Sequence, residues 1–194
     1  MKKKTEFHDF PTVRELVGQN VYLRATMPED YEFTYRWFLT SDPQSQTCHE
    51  VRIISPREMV ERMKTRQPEK VEGDFIIVRI EDEVPVGKLR FMHLNLLNRS
   101  CELGYIIDPR EQGKGYAKEG LRLLIAYLFT YLNLNKVYAQ TASFNKSSVK
   151  LLESLGFRLD GTLRQHHYYK GNLYDDVVYS LLKFECDFLQ SFSK

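Results

Sequence analysis

The stretch from Cys101 to Ala126, CELGYIIDPREQGKGYAKEGLRLLIA, constrains this chain more than any other. Its first part alternates, with Leu103, Tyr105 and Ile107 on one face and Glu102, Gly104 and Ile106 on the other, and it stops at Asp108-Pro109. That pattern predicts a strand and its end. From Arg110 the chain places Gly113 and Gly115 with one residue between them and runs directly into apolar residues at 117, 121, 124 and 128. A helix is therefore expected to begin in a glycine turn. Glycines at a strand-to-helix junction let backbone N–H groups converge on one point, and the helix dipole adds partial positive charge there. The result is a site for an anion, most often phosphate.

Glycine loops serve several unrelated chemistries. The Walker loop needs Gly-Lys-Ser/Thr, whereas Gly115 is followed by Tyr116-Ala117-Lys118. The dinucleotide fingerprint needs a small residue three positions after its second glycine, and that position is Lys118. The run Gln112-Gly113-Lys114-Gly115-Tyr116-Ala117 instead resembles the Q/R-x-x-G-x-G/A loop of the GNAT acyltransferase superfamily. In that family the loop holds the pyrophosphate of acetyl-CoA. The resemblance thus implies acetyl-CoA as co-substrate and assigns Gln112, Gly113, Lys114, Gly115, Tyr116 and Ala117 to it.

The flanking sequence supplies the other elements. Val21 to Ala25 alternates as a short strand, and Thr26-Met27-Pro28-Glu29 reads as a capping box before a helix through the aromatic segment Tyr31 to Leu39. Ser55-Pro56-Arg57-Glu58 repeats the device ahead of Met59, Val60 and Met63. Asp74 to Ile80 and Val86 to Leu94 read as antiparallel strands joined by a tight turn at Glu81 to Pro85, and Asn98-Arg99 turns into the strand already described. After the glycine-loop helix come a strand at Lys136 to Thr141 and a helix at Asn145 to Leu155 stopped by Gly156. Two long strands, Phe157 to Tyr169 and Leu173 to Lys183, follow around Lys170-Gly171-Asn172. This order is similar to that of the GNAT fold. It implies an α/β domain with a mixed, mostly antiparallel central sheet of about seven strands flanked by four helices, spanning residues 1–194 with a core from about 21 to 183.

Two further segments resemble the Rim-type branch, which acetylates N-terminal amines, and its spermidine N-acetyltransferase relatives. Asn145-Lys146-Ser147-Ser148 with Leu152-Glu153-Ser154-Leu155-Gly156-Phe157 matches N-x-x-S…L-E-x-x-G-F, and Gly171, Tyr174 and Asp176-Val177-Val178 match the ending of that branch. The resemblance implies cofactor contacts from Asn145 and Ser148. Both also read as helix-end residues, Asn145 as N-cap and Ser148 as a partner for a free N–H. It implies too that the pantetheine arm lies against backbone near Ile106 and Ile107. Many relatives carry a tyrosine for the leaving thiol at the position of Leu152, and this chain has none there.

Composition narrows the partners. With 28 basic and 26 acidic residues and a net charge of +2, no field favours nucleic acid. No stretch reaches membrane-spanning length, and MKKKTEFHDF has the charges of a signal peptide without the apolar run. Cys48, Cys101 and Cys186 lack metal-ligand spacing and read as reduced thiols of a cytoplasmic protein, with no metal expected. His166 and His167 are adjacent, so on a strand they face opposite ways. At most one of them could line a pocket, and a surface position is the expectation; for Asp176 a structural hydrogen bond is expected. In the aromatic run Tyr31, Phe33, Tyr35, Trp37 and Phe38 some residues must be core, and others could wall an acceptor cleft. A homodimer is compatible with all of this.

An amine acceptor is mostly protonated at neutrality, so acyl transfer to it needs a base near the thioester. Rim-type and polyamine-acetylating relatives carry a glutamate at the position of Glu102, two residues before Gly104, which leaves space on the same face. Glu102 is the candidate base. The competing reading is a strand carboxylate paired with Arg99 or Arg90. At the level of function the expectation is an acetyl-CoA-dependent N-acetyltransferase acting on a protein N-terminus, small amine or polyamine. The alternative is a silent acyl-CoA-binding module.

Overall fold

The computed structural model describes residues 16–41, 54–65 and 73–192. The expectations for MKKKTEFHDF and Cys48 fall outside them. The elements are β1 (Val21–Ala25), α1 (Asp30–Thr40), α2 (Pro56–Thr65), β2 (Gly73–Arg79), β3 (Pro85–Asn95), β4 (Ser100–Ile107), α3 (Tyr116–Thr130), β5 (Lys136–Ala142), α4 (Lys146–Ser154), β6 (Arg158–Tyr169) and β7 (Asn172–Leu182). Short 3-10 turns sit at Pro109–Glu111, Lys183–Glu185 and Asp187–Phe192. The seven strands form one sheet in the order β1-β2-β3-β4-β5-β7-β6. Every neighbouring pair is antiparallel except β4 with β5.

Helix α3 packs its apolar stripe on one face of the sheet. Leu121, Leu124, Leu128 and Phe129 are fully buried against Leu23, Ile77 and Leu89, each contributing about 1.5–3 kcal/mol of transfer free energy. Helix α4 adds Leu152 to the same core. The glycine assignments rest on backbone conformation. Gly113, Gly115, Gly156 and Gly171 all have positive φ, and Lys170 (φ 45°) with Gly171 (φ 87°) forms the doubly positive turn that joins two twisted strands without splaying them.

The start of α1 differs from the expected capping box. The helix begins at Asp30, its N-cap Glu29 makes no side-chain cap bond, and Thr26 Oγ1 is buried without a hydrogen-bond partner. The Asp30 carboxylate does the capping instead. It accepts the Met27 N–H at 2.7 Å and two guanidinium donors of Arg24 at 2.6 and 2.7 Å. A buried carboxylate with three donors outcompetes a threonine hydroxyl for the helix entry. At α2 the serine half of the box holds, with Glu58 N–H donating to Ser55 Oγ at 3.1 Å, while the Glu58 carboxylate turns to Arg62. Within the aromatic run Tyr35 and Trp37 are buried, and Tyr35 Oη both donates to and accepts from the Ile54 backbone.

Candidate active site

Strands β4 and β5 pair only at Ser100–Lys136, Cys101–Val137 and Glu102–Tyr138. Beyond Glu102 they part. β4 stays with β3 up to Ile107, and β5 stays with β7 up to Ala142. The wedge between them leaves one edge of β4 without a strand beside it, so its N–H and C=O groups face open space. A cleft of about 720 Å³ fills the wedge, lined by residues 103–107 of β4, Ala139, Gln140 and Thr141 of β5, the glycine loop, and Asn145, Ser147, Ser148 and Leu151 of α4.

The glycine loop closes the wide end. Asp108 accepts the Arg110 N–H and sets up the short turn that leads into it. The Arg110 guanidinium, helped by the Trp37 indole, holds the Asp108 carboxyl below the usual carboxylate range. Gly115 is the N-cap of α3 at φ 88° and provides no side-chain cap, so first-turn N–H groups stay available to an anion. A Cβ on Gly113 or Gly115 would meet nothing within 4 Å. These glycines are therefore required by positive φ and not by crowding. On α4, Asn145 accepts the Ser148 N–H at 3.2 Å. It caps the helix and lines the cleft at once.

Of the residues singled out from sequence, Ile106, Ile107, Gln112, Gly113, Gly115, Tyr116, Ala117, Asn145 and Ser148 come together around this cleft. Lys114 does not line it, and its ammonium lies 2.9 Å from Glu111. Glu111 also takes Arg79 at 2.8 Å, and its carboxyl is held low, first by Lys114 and then by Arg79.

Glu102 stands at the apex of the wedge, as the last β4 residue paired with β5. Its partner is neither arginine considered from sequence: Arg99 bonds Asn133 and Arg90 lies beside Asp74. Instead Glu102 Oε2 lies 2.8 Å from Nδ1 of His93, a residue at φ 52° within a bulge of β3. Gly104 lines the cleft, and among the described residues a Cβ there would meet within 4 Å just the methyl end of Met92, at 2.9 Å.

One other side chain differs from expectation, and two more bear on the cleft. Leu152 is fully buried in the core, so its position offers nothing to the cleft and Leu151 lines it instead. His167 is buried, not on the surface, with Nδ1 at 3.1 Å from the equally buried Asp176, which also accepts Gln140 Nε2 at 2.7 Å. Here the β6 bulge between Leu163 and His167 turns a formally edge-strand histidine inward, while His166 stays exposed. In the sequence Tyr105 is marked only as sharing a strand face with Leu103 and Ile107. In the structure it lines the cleft, with Oη 2.6 Å from Ser148 Oγ, and burial pushes its phenol up to about 12. Among the described residues no group of three or more His, Cys, Asp or Glu is placed to hold a metal, and no helix is long and apolar enough to cross a membrane.

Comparison with known proteins agrees with this geometry. The family profile described as acetyltransferase (GNAT) domain matches residues 20–158. The uncharacterized N-acetyltransferase p20 of Bacillus licheniformis is 39% identical over 175 residues, covering 88% of this chain and 97% of the relative. The putative ribosomal N-acetyltransferase YdaF of Bacillus subtilis is 38% identical over 99 residues, covering 51% of this chain and 54% of the relative. Among solved structures, the spermidine N-acetyltransferase of Vibrio cholerae in complex with CoA and spermine superposes with a TM-score of 0.78 at 27% identity, covering 87% of this chain and 98% of that one.

Proposed function

This chain belongs to the GNAT acetyltransferase family, and we propose that its β4–β5 wedge receives the pantetheine arm of acetyl-CoA while Glu102 at the apex serves as the base. It is an N-acetyltransferase that moves an acetyl group from acetyl-CoA to an amine. The observation that carries the site reading is the parting of β4 and β5 immediately after Glu102, with the glycine loop at the far end. At about 3.3 Å per residue, the open edge from Glu102 to Ile107 gives an extended arm roughly 17 Å of backbone to lie along.

Each part then has a task. N–H groups of the Gly113–Ala117 loop take the pyrophosphate, with Gln112 and Tyr116 beside it. Asn145 and Ser148 flank the arm. The amine approaches from the face that carries Glu102, loses a proton to it directly or through one water, and attacks the thioester carbonyl in a ternary complex. Backbone donors near Ile106 and Ile107 hold the oxyanion. Residues 21–183 act as one catalytic domain. The acceptor is a primary amine, either a polyamine or a protein N-terminus, and the likeness to a spermidine enzyme over most of its length supports the first.

Calorimetric titration of CoA into wild type and Gly115→Glu tests the site. The added carboxylate falls where the phosphates sit, so affinity is expected to drop at least 100-fold in a folded variant, an order of magnitude set by placing like charges in contact. Unchanged affinity would overturn the loop assignment.

A further inference from the structure

Leu152 is apolar and buried in the core, so it offers the departing thiol no donor, whereas two hydroxyls, those of Tyr105 and Ser148, line the cleft. We propose that the Tyr105 phenol, oriented by Ser148, donates a hydrogen bond to the CoA sulfur as the thiolate leaves. This inference rests on the acetyltransferase reading and adds a catalytic residue to it.

Three observations carry it. Tyr105 lies on the β4 segment that borders the wedge, three residues beyond Glu102, and both it and Ser148 line the cleft. Tyr105 Oη and Ser148 Oγ are 2.6 Å apart, and either oxygen can be the donor. Ser148 is itself fixed, since it is buried and its backbone N–H is held by Asn145. If the serine hydroxyl donates to the phenol oxygen, the phenol proton is free to point at a sulfur in the wedge.

The chemistry balances without an extra reactant. As the amine nitrogen bonds the carbonyl carbon, the carbon–sulfur bond breaks and its electron pair stays on sulfur. Tyr105 keeps its proton and shares it with the thiolate. Burial holds the phenol near 12, whereas an ordinary thiol titrates at about 8.5, so full transfer is disfavoured by roughly three powers of ten. The ammonium gives one proton to Glu102 before attack, and the nitrogen of the tetrahedral adduct gives up a second as the amide forms; both reach solvent, which returns one to the thiolate, so one proton is released per turnover. A charge-assisted bond of this kind changes an equilibrium or rate by about tenfold to 100-fold.

The test titrates the thiol of bound CoA, with carbon-13 beside sulfur, by NMR in wild type and Tyr105→Phe. The expected wild-type thiol pKa lies about one to two units below that of free CoA, and Phe returns it to the free value. Ser148→Ala should give an intermediate shift. Turnover should fall about tenfold to 100-fold in Tyr105→Phe with the acetyl-CoA KM unchanged. Identical thiol pKa values in the two folded proteins would overturn the proposal and leave the acetyltransferase reading intact. Failure of wild type to bind CoA would overturn both.

Discussion

Replacing Glu102 by Gln separates the proposed base from a merely structural carboxylate. Gln keeps the shape of the side chain and a hydrogen-bonding group for His93, but it cannot accept the amine proton. A base acting directly or through one water contributes about 100-fold to 10,000-fold, equal to roughly 3–5.5 kcal/mol of barrier at about 1.36 kcal/mol per tenfold. The structural cost is much smaller. His93 is 64% exposed in the pair with Glu102, and such exposed pairs contribute under about 1 kcal/mol, which corresponds to a melting shift of at most about 2–4 °C for a chain of this size. Glu102 also lies outside the cofactor cleft. Steady-state kinetics at saturating acetyl-CoA should therefore show kcat reduced at least 100-fold, acetyl-CoA KM unchanged, melting temperature nearly unchanged and the acidic limb of the pH–rate profile flattened. A Gln variant with kcat near wild type across that pH range refutes the assignment. A variant in which kcat and melting temperature fall together would mark Glu102 as structural.

Two predictions concern the scaffold. Asp30→Ala strands the Arg24 guanidinium, whose side chain is 11% exposed, and removes the acceptor of the Met27 N–H; it should cost about 3–5 kcal/mol, read as a lower urea midpoint at constant slope, and a loss below about 1 kcal/mol would contradict the capping role. Cys101 is fully buried and its thiol is pushed up to about 12 by desolvation, so the protonated form is the one the folded state favours. Its contribution is complete below the unfolded value of about 8.5 and is lost as pH rises toward 12, at up to about 1.4 kcal/mol per pH unit. Peptide mapping should find it unalkylated by iodoacetamide at pH 8 in folded protein and alkylated after unfolding. Modification of the folded chain would contradict its burial.

How much was legible in sequence divides along a physical line. The glycine loop, the Asn145 cap, the Gly156 stop and the Lys170-Gly171 turn depend on local backbone conformation, which residue type constrains directly, and each lies where the pattern placed it. The alternation in β4 likewise fixed which side chains share a face. Partners across strands were not legible. Glu102 meets His93 where β3 carries one extra residue, and His167 lies just past an irregularity that puts two extra residues into β6; such irregularities leave no mark in hydrophobic period. Asp30 was missed although Arg24 stands only six residues before it, because no local pattern marks that pair. Tyr105 was hidden for another reason. Its alternation with Leu103 and Ile107 gives only a shared face, and it is the parting of β4 from β5 that opens the cleft it lines.

The most direct measurement is release of free thiol from acetyl-CoA by the purified chain in the presence of spermidine, spermine, other small amines and peptides with free N-termini, with mass spectrometry of the acceptor. The account predicts that at least one primary amine elicits thiol release in one-to-one ratio with an acetylated product, and that Glu102→Gln slows it. Tight CoA binding with no thiol released across the whole panel would contradict it and leave a protein that only binds the cofactor.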